Sequence, residues 1–201
     1  HLKVKALAET EEEMIAERGV EAAFEITWQE LNSEQQRVAC YLSLFEVAPI
    51  PYQLIQAICP LEDEDELEEI LEESLINLSL VQDLGNQWYE IHTLIHQYLR
   101  DKLEESEFAT TAKEVYGQIM VKLAQEIPEQ PIQSEIQGLT PFIPHLKVVA
   151  EELNKWIDDD DLILPFVGLG RFYEAQGIYH EAEPWYRNCL AVTQERLGET
   201  H

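Results

Sequence analysis

His92 and His96 stand four residues apart, a spacing that sets two imidazoles on one face of a helix and can hold a zinc ion. The match ends there. A His-Glu-x-x-His enzyme needs a glutamate after its first histidine, and here the intervening residues are Thr93-Leu94-Ile95. No third ligand is evident, so zinc is not expected. No Ser/His/Asp or Cys/His set stands out, and no Gly-x-x-x-x-Gly-Lys-Ser/Thr is present to cradle a triphosphate unaided. The residues therefore predict no catalytic centre and no metal site. His92 itself lies where a strand gives way to a helix. Free N–H groups at a helix N-terminus favour an anion. His92 thus reads either as a capped, packed histidine or as part of a modest anion site. His96, one turn on, is expected to be partly exposed.

The elements around that junction follow from the apolar spacing. Up to Ile91 the stretch from Trp88 is aromatic and β-branched, as a strand is. Then Leu94, Ile95, Tyr98, Leu99 and Leu103 recur at helical spacing, with Thr93 placed to cap. Upstream, Ser33 with Gln36 is a capping-box pattern, and the helix after it turns Val38, Tyr41, Leu42 and Phe45 inward. Pro49-Ile50-Pro51 stops that helix and opens another, with Leu54, Ile55 and Ile58 inward and Cys59-Pro60 at its end. A third helix, from Asp63 to Asn77, buries Leu67, Ile70, Leu71 and Leu75. Leu78 to Val81 reads as a strand, Asp83-Leu84-Gly85-Asn86 as a turn and Gln87 to Ile91 as the returning strand. Three helices, a hairpin and a helix over residues 22–105 make a winged-helix arrangement. Such domains mostly read DNA through the third helix. Here nine carboxylates and no basic residue lie between Glu62 and Glu73, the wrong sign for phosphate.

Residues 1–20 read as an acidic helix broken at Gly19. Residues 106–126 are an amphipathic helix through Ala112, Val115, Tyr116, Ile119, Met120 and Leu123. Pro128 and Pro131 mark a loop, and Pro144 opens a helix carrying Leu146, Val149, Leu153 and Trp156. These form a helical linker over 106–157. After the acidic run Asp158 to Asp161, Pro165 puts the next helix start near Leu164. Then Leu169-Gly170-x-x-Tyr173-x-x-x-Gly177-x-Tyr179-x-Glu181-Ala182-x-x-x-Tyr186-x-x-Cys189-Leu190 matches a tetratricopeptide repeat. Gly170, Ala182 and Cys189 permit close helix approach, and Tyr173, Tyr179 and Tyr186 fill the space. Only one full repeat lies in 158–201, and about three are usually needed for a continuous core. The array is therefore expected to continue past His201. Its exposed end is expected to pair two copies as a dimer through 161–201. Trp28, Trp88, Trp156 and Trp185 fall in four segments, as packing anchors do.

The 201 residues hold 40 acidic against 13 basic side chains, a net charge of −27. Nucleic acid is a poor partner for that surface; a basic protein partner or plain solubility is more natural, and the acidic run of the third helix reads first as a solvated face. Cys40, Cys59 and Cys189 are few, odd in number and widely spaced, which fits buried thiols in a reducing compartment. No signal peptide and no apolar run of about 18 residues is visible, so a cytoplasmic chain with no membrane partner is expected. The start at His1 suggests a fragment of a longer protein.

Three stretches, Ala22-Ala-Phe-Glu-Ile-Thr-Trp28-Gln-Glu-Leu31, Leu42-Ser-Leu-Phe45-Glu-Val-Ala-Pro-Ile-Pro51 and Tyr89-Glu-Ile-His92-Thr-Leu-Ile, resemble the winged-helix domain of STAND ATPases of the NB-ARC class. Ile143-Pro-His-Leu146, Phe166-Val-Gly-Leu-Gly-Arg-Phe-Tyr173 and Ala182-Glu-Pro-Trp-Tyr186 look like bacterial members that carry repeat arrays. The resemblance implies a mainly α fold: the end of a preceding helical domain over 1–21, then winged helix, helical linker and a tetratricopeptide hairpin. It implies an upstream nucleotide-binding domain that holds ADP or ATP, against which the winged helix folds in the inactive state. In the family a histidine within Met-His-Asp contacts the ADP β-phosphate. The matching residues are Ile91-His92-Thr93, so His92 is implied as an ADP phosphate sensor in the full-length protein, with Thr93 where the family often has aspartate. This stretch would then be non-catalytic and hold no cofactor by itself. It would relay the sensing of a protein or peptide ligand by the repeats to the nucleotide domain. Two other classes are a transcription regulator with a winged helix and a repeat sensor, and a plain repeat scaffold.

Overall fold

Asn32 sets the first boundary. Its side chain accepts from the Glu34 and Gln35 amides, each at 2.9 Å, and the Gln35 side chain accepts from the Asn32 amide at 2.8 Å. This capping box opens α2 (Ser33–Leu42). It sits one residue before the Ser33–Gln36 pair, because asparagine accepts from those amides as well as serine does. Gln36 instead donates to the Trp28 carbonyl at 2.9 Å. The computed structural model describes residues 19, 22–59, 61 and 64–198, and the chain is mainly helical with one small three-stranded sheet.

Residues 22–30 form α1. Phe24 and Trp28 meet the Tyr98 ring at 5.6 and 6.2 Å. Glu25 accepts from the Tyr98 hydroxyl and pairs with Lys102, both at 2.8 Å. Gly19 is itself helical. The rest of the first-helix reading lies outside the described residues.

Ile50–Pro51 is a two-residue β1, which the sequence did not announce, and Pro51 caps α3 (Tyr52–Ile58). β2 (Gln82–Gly85) and β3 (Trp88–Glu90) form the hairpin. The order is β1-β3-β2, all antiparallel, with Ile50 opposite Tyr89. Pro51 is tolerated because β1 is an edge. α4 (Glu64–Glu69) runs directly into a π-helix, Ile70–Ile76, and buries Leu67, Ile70, Leu71 and Leu75 as the spacing predicts. Leu78 to Val81, expected as a strand, is a turn. Ser79 takes a φ of 58°, and the Leu80 and Val81 amides both donate to the Leu75 carbonyl, at 2.9 and 3.2 Å. Leu80 and Val81 are buried as a plug on the helix end. The hairpin turn falls at Asn86 and Gln87, both at positive φ.

α5 (Thr93–Glu105) and α6 (Ala109–Gln125) follow as expected. α7 (Gln133–Leu139) is a helix that the sequence did not announce. A 3₁₀ turn, Thr140–Phe142, leads into α8 (Ile143–Val148), which continues through a π turn, Val149–Leu153, and a 3₁₀ turn, Asn154–Trp156. α9 (Leu164–Ala175) and α10 (Tyr179–Leu197) close a helical hairpin. A Cβ on Gly170 would lie 2.5 Å from the Tyr186 ring, so the two helices approach where the small residue allows it. One apolar cluster runs from Leu31 to Trp185 and joins the helices to β1 and β3. No described helix is long and apolar enough to cross a membrane.

Candidate functional site

His92, rather than Thr93, is the N-cap of α5. Its Nδ1 accepts from the Leu94 amide at 3.3 Å, and Thr93 is the first helical residue. An imidazole that accepts at Nδ1 carries its proton on Nε2. The exposed ring therefore presents one N–H donor beside the first turn of a helix. It stands at a cleft of about 590 Å³ lined by Val47, Ile76, Leu80, Val81, Ile91 and Ile95, with Asp83 and Glu90 adding carboxylates. Asp83 is partly occupied, accepting from the Gly85 amide at 2.7 Å. Helix start and imidazole favour an anion, while the two carboxylates oppose it. The site can donate to a phosphate presented from outside, but is poorly made to capture one.

His96 is buried, not partly exposed. Its Nε2 lies 2.8 Å from the Phe45 carbonyl, and since a carbonyl only accepts, that nitrogen carries the proton. The chain turns at Phe45 after α2 and leaves a buried carbonyl that needs a donor; packing of α5 on α2 delivers one. His92 and His96 therefore serve different partners and do not converge. Among the described residues no group of three His, Cys, Asp or Glu side chains converges either.

A third histidine, His145 near the start of α8, forms a joint that sequence reasoning missed. It is fully buried, and its Nε2 donates to the Pro49 carbonyl at 3.1 Å. Its ring stands edge-on to Phe45 at 5.1 Å, and Tyr116 does the same from α6 at 5.2 Å. The Tyr116 hydroxyl donates to the His145 carbonyl at 3.2 Å. Burial lowers the His145 pKa to about 4, against the smaller opposing effects of the Pro49 hydrogen bond and the Glu46 charge. The ring is neutral at pH 7, and its Nδ1 is buried without a partner. The one available signal was a histidine inside the apolar run Ile143-Pro144-His145-Leu146.

The cysteines are free thiols. Cys40 and Cys59 are buried and pushed up to about 12 by that burial, which makes them inert. Cys189 is half-buried and also raised by burial. No protein-family model, no curated protein and no solved structure matches this chain.

Proposed function

We propose that the chain is a non-catalytic relay in a nucleotide-driven signalling switch of the STAND, NB-ARC class. Residues 22–105 would be the winged-helix domain, 106–157 the helical linker and 158–201 the first tetratricopeptide repeat. An upstream nucleotide-binding domain presents ADP, and a phosphate oxygen accepts from His92 Nε2–H. The repeats sense a protein or peptide ligand. The observation that carries this reading is His92 itself: its cap bond to Leu94 places the proton on Nε2 of an exposed ring. The order helix, helix, helix, hairpin, helix supports the winged-helix part, and the contact of Gly170 with Tyr186 supports the repeat. Tyr179 and Leu190 stay exposed on α10, a face on which a following repeat or a second copy packs. The exposed carboxylates of Glu68, Glu69, Glu72 and Glu73 disfavour DNA.

The test is made in the full-length protein. His92→Ala is expected to speed release of labelled ADP and shift the switch toward its active state; unchanged release removes the sensor role. For this chain alone, calorimetry is expected to detect no micromolar ADP affinity.

A further inference from the structure

A second groove, of about 510 Å³, shares no lining residue with the His92 cleft. It is bounded by Glu46 after α2, Ile143 and Lys147 on α8, Glu151 on the π turn, and Phe172 and Tyr173 on α9. Ile143 and Phe172 are buried and Tyr173 is half-buried, so its floor is apolar. Its walls come from distant stretches of chain that the Pro49–His145 bond and the Phe45–His145 contact tie together. The groove is thus formed before any partner arrives.

Its charge selects the partner. Glu46 and Glu151 are exposed. Lys147 lies one turn before Glu151, yet its ammonium sits over the Tyr173 and Trp185 rings, 5.2 and 5.9 Å from their centroids. Other cations are engaged inside the chain: Lys102 with Glu25, Lys113 with Glu104, Arg171 with Glu129 and Arg196 with Asp159. Arg100 pairs likewise with Glu152 and Arg187 with Glu183, so most of the arginines among the described residues are engaged within the chain. Among the described residues, neither groove carboxylate has a cation within ion-pair distance.

We infer that this groove docks an extended segment of a partner protein in which apolar or aromatic side chains are flanked by basic ones. The apolar side chains rest on Ile143 and Phe172, and the basic ones reach Glu46 and Glu151. Arginine suits these carboxylates because it can bind each through two parallel hydrogen bonds. This rests on the ligand-sensing part of the proposed function and gives it a chemistry. It does not use the nucleotide part, whose failure is read separately in ADP release.

The test titrates this chain into a dye-labelled, blocked peptide Arg-Ala-Leu-Phe-Ala-Arg and follows fluorescence anisotropy. Saturable binding that weakens with salt is expected. The double variant Glu46→Lys with Glu151→Lys weakens it roughly tenfold or more, as does replacing the peptide's Leu and Phe with Ser. A double variant with the same charge change elsewhere, Glu69→Lys with Glu73→Lys, leaves affinity nearly unchanged. Equal loss in both double variants would show that the peptide reads only net charge and would overturn the docking site. Failure to saturate at low salt would overturn it too.

Discussion

The two ends of the histidine chemistry sit in opposite surroundings. His92 uses Nδ1 on its own helix and keeps Nε2–H on an exposed ring at the edge of an open cleft. His145 uses Nε2 on a distant carbonyl and has Nδ1 sealed in the core. The first keeps a spare donor where a ligand can meet it; the second spends its donor inside and is reachable by nothing. A ring of one chemistry thus reports in one place and locks in the other, and solvent access decides which. Phe45 connects the two regions. Its carbonyl accepts from His96, one turn after His92, and its ring packs on His145. Movement of α8 against α2 would therefore be felt within one turn of the His92 cap.

The largest effect is expected from removing that connection. Phe45 is 1% exposed and meets both Tyr116 and His145 edge-on. Phe45→Ala should cost about 3–5 kcal/mol of folding stability, read from urea unfolding. A loss below about 1 kcal/mol would mean that the joint does not hold the segments together.

Acid should act on the buried histidine. Unfolded, His145 titrates near 6.5; folded, near 4. Above the higher value both states are neutral at this ring. Between the two, only the unfolded state binds the proton, so stability falls as pH drops through that window, by roughly 3 kcal/mol in all. His145→Phe keeps a ring against Phe45 and removes the titration. The stability difference between wild type and variant should therefore shift by that amount from pH 7 to pH 4, with the carboxylates cancelling. A constant difference would show that His145 is not buried neutral.

The contrast also explains what could be read in advance. α2, α3, α5 and α6 were legible because their buried faces repeat at helical spacing, whereas α9 and α10 were read from the repeat pattern between Leu169 and Leu190. Ile70, Leu71 and Leu75 would be buried in an α- or a π-helix alike, so the change of helix type was not visible. Leu78-Ser-Leu-Val81 is an apolar run that reads equally as a strand or as a helix-ending plug. β1 exists only because Ile50 finds Tyr89 across the fold. α7 carries one buried residue, Ile136, too few for a period. His92 could be found because the change of period marks its junction. The burial of His96 and His145 depends on Phe45 and Pro49, 51 and 96 residues away. No local pattern encodes that distance.

His96 tests whether the corner and the joint share a foundation. His96→Ala leaves the buried Phe45 carbonyl without its donor, which should cost about 1–3 kcal/mol. His96→Gln, whose amide can reach the same acceptor, should recover part of it. If both variants lose the same amount, the ring's packing matters and its hydrogen bond does not.

The smallest stability change carries the sharpest functional distinction. His92→Ala removes an N-cap acceptor and should cost about 1 kcal/mol. Asparagine is among the best N-caps, so His92→Asn should match or exceed wild-type stability, because its side-chain oxygen accepts from the Leu94 amide in place of Nδ1. It lacks the imidazole N–H. If His92 acts on nucleotide, His92→Asn in the full-length protein releases ADP as fast as His92→Ala while unfolding like wild type. If His92 is only a cap, His92→Asn behaves as wild type in both measurements, and the corner then differs from the His145 joint in exposure alone.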